Sequence, residues 1–180
     1  MSLGFPVLAF VAVVNPARVR LGAPVKERAG LVALGSLVAL AAGAALVVLA
    51  GEILAAVDVS PESFRLATGL VLAVEGAWTL VRLPSPAEAG LPGRLGALVP
   101  VAFPLLLTPG LVALALSAGA DASTAEALGA LAVALVAASA SAAVERGSLP
   151  ALLLTAVARL LAAAEIVAAV AIAVEGIRDV

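Results

Sequence analysis

Proline-containing motifs interrupt two apolar stretches of the chain and are its first candidates for chemistry. Asn15-Pro16 ends the first stretch, and Thr108-Pro109-Gly110 lies at the centre of a later one. Proline lacks a backbone N–H and clashes with the preceding turn, so each motif predicts a broken helix. The N–H groups at the start of a half-helix suit a carboxylate, and carbonyls at the end of one suit an ammonium group. We therefore predict that these five residues bind a small zwitterion between two facing breaks. The alternative is a pair of kinks without function, because proline and glycine are common in membrane helices.

Two glutamates inside apolar segments are the next candidates. At ~1.5 Å per residue, Glu75 lies about 15 Å from Arg65 along a helix, and Glu165 lies about 9 Å beyond Arg159. A carboxyl group at such depth in a membrane usually faces the bundle interior or water. We interpret both glutamates as candidates for proton coupling; the alternatives are pairing with another buried polar group and a position in an oligomer contact. Arg65 and Arg159 are interpreted as interfacial anchors.

Membrane-spanning helices are the elements that must position these side chains. Of 180 residues, 64% are hydrophobic and only 12% are charged. Uncharged runs at 29–51, 95–120 and 127–144 reach or approach the roughly 20 residues that span a bilayer as helix. Alanine and glycine are abundant and aromatic residues make up 3%, which favours close helix packing in lipid. The composition predicts an all-α, polytopic helical membrane protein with a single membrane domain over residues 1–180.

Six spans and a strong charge bias follow from the distribution of apolar and basic residues. The predicted spans are about Gly4–Asn15, Ala29–Gly51, Phe64–Val81, Leu95–Ala120, Glu126–Val144 and Arg159–Glu175. The first is short and continues weakly past Pro16 into charged sequence. Residues 147–158 either lengthen the last span or form a short interfacial helix.

Basic residues are distributed unequally between the two sides of the membrane. With six spans, one membrane face carries Arg18, Arg20, Lys26, Arg28, Arg82, Arg94, Arg146 and Arg159, and the other carries Arg65 and Arg178. Basic loops stay in the cytoplasm, so both termini are predicted on the non-cytoplasmic side. The four basic residues within 18–28 are interpreted as topology determinants that touch lipid headgroups.

Landmarks recur along the chain at a nearly constant offset. Pro16 and Pro109 are 93 residues apart, and Arg65 and Arg159 are 94 apart. This spacing predicts two three-helix repeats, at about 1–82 and 94–180, joined by a connector at 83–93. An odd number of spans per repeat inverts the second copy, as in many secondary transporters.

The same landmarks resemble the MarC family of integral membrane proteins, within the broader group of LysE-type exporters. The resemblance rests on "VVNPAR" (13–18), "FRLATGLVLAV" (64–74), "AFPLLLTPG" (102–110) and "ARLLAAAEIVAAVAIAVEGIRD" (158–179). It covers nearly the whole chain and implies transport of small neutral amino acids. The chain departs from the family pattern in its short first segment and in having Glu75 and Glu165 where apolar residues are expected.

Several function classes are excluded by residue types that the chain lacks. Without histidine or cysteine, it has no Ser-His dyad, no His-Glu-x-x-His zinc site and no thiol nucleophile. No glycine-rich phosphate loop precedes a lysine, which argues against direct ATP use. We expect no enzyme activity, no cofactor, no metal and no nucleic-acid partner.

The expected function is that of a secondary transporter in the plasma (inner) membrane. Its expected partners are the lipid bilayer and a small zwitterionic solute, such as glycine or alanine. The alternatives are an exporter of another small solute and a non-transporting scaffold with the same fold. A homo-oligomer is left open.

Overall fold

The described part of the chain is helical throughout. The computed structural model describes residues 4–23, 28–83, 91, 93–121, 123–144 and 150–179, with the side chain of Arg28 excepted. The helices are α1 (Gly4–Val14), α2 (Pro16–Gly22), α3 (Arg28–Val48), α4 (Ala50–Ala56), α5 (Pro61–Val81), α6 (Pro109–Asp121), α7 (Thr124–Ala143) and α8 (Ala151–Arg178), with a 3₁₀ turn at Gly93–Ala97 and an irregular segment at Leu98–Leu106. Lys26, Arg146 and most of the predicted connector lie outside the described residues.

The predicted all-helical membrane architecture is confirmed at the level of helix length and hydropathy. Five helical stretches are long and apolar enough to cross a membrane, and Gly4–Gly22, which contains the Asn15 break, is one of them. A sixth is obtained if Gly93–Leu106 and Pro109–Asp121, bent by 69°, form one span. Residues 151–158 belong to the start of α8, so this stretch lengthens the last span.

The first half of the predicted fourth span is more irregular than the single break at Pro109 would require. Val99 and Phe103 each precede a proline, and both have extended backbone inside this segment (φ −133° and −131°). Proline disfavours helical geometry in the residue before it and removes its own N–H from the helix. Pro100 and Pro104 therefore keep the first half of the span from forming a regular helix, and α6 begins only after them.

Helices α5 and α8 pack against each other in antiparallel orientation through glycines. A Cβ atom on Gly69 would lie 2.7 Å from the carbonyl oxygen of Ala169, and one on Gly76 would lie 2.8 Å from Ile166 Cγ1. Small residues let helices approach this closely where lipid offers no hydrophobic driving force. The same Gly76 Cβ would lie 3.5 Å from Glu165 Cγ, so the packing brings Glu165 of α8 beside the residue that follows Glu75.

The described residues combine an apolar interior with an exterior that is also rich in apolar side chains. Large apolar side chains dominate the outside: Leu70, Val136, Leu152, Leu160 and Val167 are each at least two-thirds exposed. Asn15, Arg18, Arg20, Thr108 and Glu165 are buried. An apolar exterior is the surface that a bilayer requires, and buried polar groups then need partners inside the bundle.

Candidate functional site

The first break is held by the Asn15 side chain. Asn15 is fully buried and adopts the left-handed conformation (φ 48°, ψ 77°) between α1 and α2. Asparagine tolerates this conformation better than most residues. Its Oδ1 accepts a hydrogen bond from the Arg18 N–H (3.1 Å), and its Nδ2 donates to the carbonyl of Ala158 in α8 (2.8 Å). Asn15 therefore caps α2 and ties the break to the last helix.

Arg18 lies inside the bundle, which corrects its interpretation as a contact of lipid headgroups. The chain resumes helical geometry at Pro16, which suits the first position of a helix, so Arg18 falls within a packed helix and is only 7% exposed. Its Nη1 donates to Glu75 Oε1 (2.9 Å), and its Nη2 donates to the carbonyl of Val13 at the end of α1 (3.1 Å). Arg18 Nε is buried and has no hydrogen-bond partner among the described residues.

Arg20 is corrected in the same way, because it lies in the same buried turn of α2. It is 3% exposed, and its Nη1 donates to the Ser141 carbonyl of α7 (3.0 Å). The Ser141 hydroxyl lies within hydrogen-bond distance of the Pro16 carbonyl (2.9 Å) and of the Ala138 carbonyl in its own helix (2.7 Å), and its one proton serves either of them. The Arg20 bond therefore attaches α2 to α7 beside the break.

The second break begins α6 and binds a carboxylate of the chain itself. Thr108 is buried, and its Oγ1 accepts a hydrogen bond from the Leu111 N–H (3.1 Å), as a helix cap does. The Gly110 N–H donates to Glu75 Oε2 (2.8 Å). A Cβ at position 110 would lie only 2.4 Å from that oxygen. Glycine is therefore the residue that lets the carboxylate reach the positive end of α6.

Glu75 joins the two broken segments through its two oxygens. One oxygen accepts from Arg18, after the first break, and the other accepts from Gly110, after the second. The substrate carboxylate was predicted at the start of a half-helix, and at α6 this position is occupied by Glu75. An ammonium group was predicted at the end of a half-helix, and at α1 the guanidinium of Arg18 bonds the Val13 carbonyl.

Glu165 differs from Glu75, which is partly buried and paired. Glu165 is fully buried, and neither carboxyl oxygen has a hydrogen-bond partner within the described part of the chain. A charged carboxylate without a partner is costly in an apolar interior. Burial of Glu165 is therefore energetically more unfavourable than the position of Glu75, which is paired.

A cavity of about 440 Å³ adjoins the Arg18 side of the ion pair, and Glu75 is not on its wall. Arg18 and Thr108 line it together with Trp78, Thr79 and Arg82. The Arg82 guanidinium lies 4.9 Å from the centroid of the Trp78 ring, a cation–π contact. The volume is within the range of small-molecule sites, and the lining combines cationic, hydroxyl and apolar groups.

A second cavity, of about 410 Å³, lies toward the opposite end of the bundle, where α5 begins and α6 and α8 end. Arg65, which was interpreted as an interfacial anchor, lines this cavity and pairs with two carboxylates. It bonds Asp121 of α6 (Nη2 to Oδ1, 2.6 Å; Nε to Oδ2) and Asp179 after α8. One guanidinium thus joins the ends of three helices, while Arg159 is exposed on α8.

Sequence reasoning identified the two breaks and both glutamates but missed Arg18 as a member of the site. Pro16 and Pro109 begin the helices α2 and α6, and Asn15 caps α2 as Thr108 caps α6. The available signal was the position of Arg18 within one helical turn of Asn15-Pro16, where a restarted helix carries it inward.

Comparisons with protein-family models, with curated proteins and with solved structures give no match to this chain.

Proposed function

We propose that this protein is a secondary transporter of small neutral amino acids, such as glycine or alanine. The observation that carries the proposal is the largely buried Arg18–Glu75 pair, which is bonded to the start of α6 between two broken helices, with Arg18 on the wall of a cavity. Ionisable groups at such depth are costly and mark solute or ion pathways in membrane proteins. Discontinuous helices that meet a charged site are the usual construction of a transporter binding site.

The membrane arrangement belongs to the same proposal. The bent pair around Thr108 counts as the fourth of six spans, and the two three-helix units form inverted repeats, as in the MarC family that the chain resembles. The basic face is cytoplasmic, both termini lie on the other side of the plasma (inner) membrane, and assembly into a homo-oligomer is compatible with the fold. The cavity at Arg18 then opens toward the cytoplasm, and the ion pairs of Arg65 close the opposite end.

Glu165 is proposed as the proton carrier. It is buried and lacks a hydrogen-bond partner among the described residues, so adding a proton removes the cost of an unpaired charge. Glu75, by contrast, is already paired with Arg18. Pairing with another polar group is the alternative to proton coupling that the sequence analysis gives for the glutamates.

Uptake of labelled glycine and alanine into liposomes carrying the purified protein, with and without an imposed proton gradient, tests the proposal. We expect saturable uptake that the double variant Asn15→Leu, Gly110→Leu abolishes. Gly129→Leu is the matched control, because a Cβ at Gly129 meets nothing within 4 Å. We expect Glu165→Gln to remove the dependence on the gradient.

Failure of well-folded protein to take up any of several small zwitterions would remove the amino-acid assignment. Uptake of a different solute under the same conditions would favour an exporter of that solute. Absence of all transport would favour a membrane scaffold.

A further inference from the structure

The Arg18–Glu75 pair is built so that each charge keeps a partner when the pair separates. Arg18 also bonds the Val13 carbonyl at the end of α1, and Glu75 also bonds the Gly110 N–H at the start of α6. The end of a helix favours a cation and the start of a helix favours an anion. Opening the pair therefore leaves both charges attached to helix ends of the matching sign.

Arg18 has further hydrogen-bonding capacity besides its bonds to Glu75 and Val13. Arg18 Nε is buried without a hydrogen-bond partner among the described residues, although Arg18 lines the 440 Å³ cavity. A buried guanidinium donor left unpaired is costly. A carboxylate placed between Arg18 and Glu75 takes over the Nη1 bond that Glu75 now accepts, whereas Nε lies on the opposite edge of the guanidinium, beside Nη2, and stays available to a second acceptor.

The chemical class of the ligand follows from charge balance. A simple carboxylate inserted into the pair would leave Glu75 without its cation, and a simple amine would leave Arg18 without its anion. Breaking a buried ion pair by removing one partner is strongly destabilising. A compact zwitterion satisfies both, with its carboxylate on Arg18 and its ammonium group on Glu75. The other ionisable groups nearby are Glu165, which packs against Gly76 next to Glu75, and Arg82 on the cavity wall.

We propose that the Arg18–Glu75 pair is the closed form of the substrate site, and that a zwitterion with adjacent ammonium and carboxylate groups binds by inserting into it. This inference rests on the proposed transport function and names the two residues that determine specificity. Arg18 binds the carboxylate of the ligand, and Glu75 binds its ammonium group. The three-way arrangement replaces one direct ion pair with two, so the net charge of the site does not change on binding.

The test uses the only tryptophan of the chain, Trp78, which lines the cavity. Its fluorescence in detergent micelles is titrated with glycine, acetate and methylamine, separately. We expect wild-type protein to bind glycine at least about tenfold more tightly than either single-charge probe, the ratio for one hydrogen bond to a charged group. In Glu75→Gln the unpaired Arg18 should favour acetate, so acetate should bind about tenfold more tightly than in wild type and glycine should lose its advantage.

Glu62→Gln, a change of the same type in the first turn of α5, is the matched control and should keep the wild-type order. Circular dichroism and elution volume check that both variants fold. The proposal is overturned if acetate or methylamine binds wild type as tightly as glycine does. It is also overturned if Glu75→Gln and wild type show the same order, including no binding to either. If liposomes take up glycine but the three probes do not bind in the expected order of affinity, only the insertion model is rejected. If the probes bind in the expected order but liposomes show no uptake, the insertion model is supported and the transport function is rejected.

Discussion

Replacing Gly110 by alanine tests whether the Glu75 carboxylate is held by the start of α6. The added Cβ would lie 2.4 Å from Glu75 Oε2 and 3.0 Å from Leu72 Cδ2. Carbon and oxygen normally stay about 3.3 Å or more apart, so the carboxylate must retreat by most of an ångström. The N–H···O bond from Gly110, now 2.8 Å long, would then exceed the normal range for a hydrogen bond.

Two contributions determine how Gly110→Ala changes the free energy of unfolding: the lost hydrogen bond and the gain in helix propensity. A hydrogen bond to a charged group contributes about 1.5–3 kcal/mol, while bonds between membrane helices average nearer ~0.6 kcal/mol. Alanine gains at most ~1 kcal/mol over glycine in a helix interior, and less in the first turn. We expect Gly110→Ala to lower the free energy of unfolding by about 1 kcal/mol. Gly129→Ala, where the new methyl group meets nothing within 4 Å, should raise it by up to ~1 kcal/mol.

The assay is a titration from a mild detergent into sodium dodecyl sulfate, followed by far-UV circular dichroism. The decisive quantity is the difference in unfolding free energy between the two alanine variants, expected at about 2 kcal/mol from the two values above. If Gly110→Ala is as stable as Gly129→Ala, the Glu75 carboxylate does not depend on the start of α6. The assignment of Glu75 as the link between the two breaks would then be wrong.

Two further predictions concern the first break and the opposite end of the bundle. Asn15→Ala should destabilise the fold more than Asn15→Gly, by about 1–2 kcal/mol in the same titration. Both variants lose the side-chain hydrogen bonds, but only alanine is strained at φ 48°. Equal losses of stability in the two variants would show that the left-handed backbone relaxes. Arg65→Met should change stability by only ~1 kcal/mol or less per lost ion pair. It should, however, speed the labelling of a cysteine introduced at Ser117, in the cavity beneath Arg65 and Asp121, by a membrane-impermeant maleimide. Arg159→Met, at an exposed arginine of α8 that does not line this cavity, is the control, and equal labelling rates in the two variants would contradict a closing role for Arg65.

Local residue patterns were enough to predict the helices and their breaks. The lengths of the apolar runs and the positions of Asn15-Pro16 and Pro109 required only the neighbouring residues, since proline acts on its own turn. The same local reasoning underestimated the fourth segment, because Pro100 and Pro104 act together on Val99 and Phe103. It predicted only a weak continuation of the first segment past Pro16, where the structure has a regular helix that continues to Gly22.

The partners of the buried charges were decided by tertiary structure alone. Glu75 meets Arg18 across 57 residues of chain and Gly110 across 35, and no local pattern encodes such distances. The sequence by itself determined that a carboxyl group would lie deep in an apolar helix, because its neighbours in the chain are apolar. Only the packing of α2, α5 and α6 decided that this group would be paired while Glu165 would have no hydrogen-bond partner among the described residues. The physical reason is that the local sequence shows the cost of burying a charge, because it shows that the neighbouring residues are apolar. The interactions that offset this cost depend on which helix ends and charged groups the fold brings within hydrogen-bond distance.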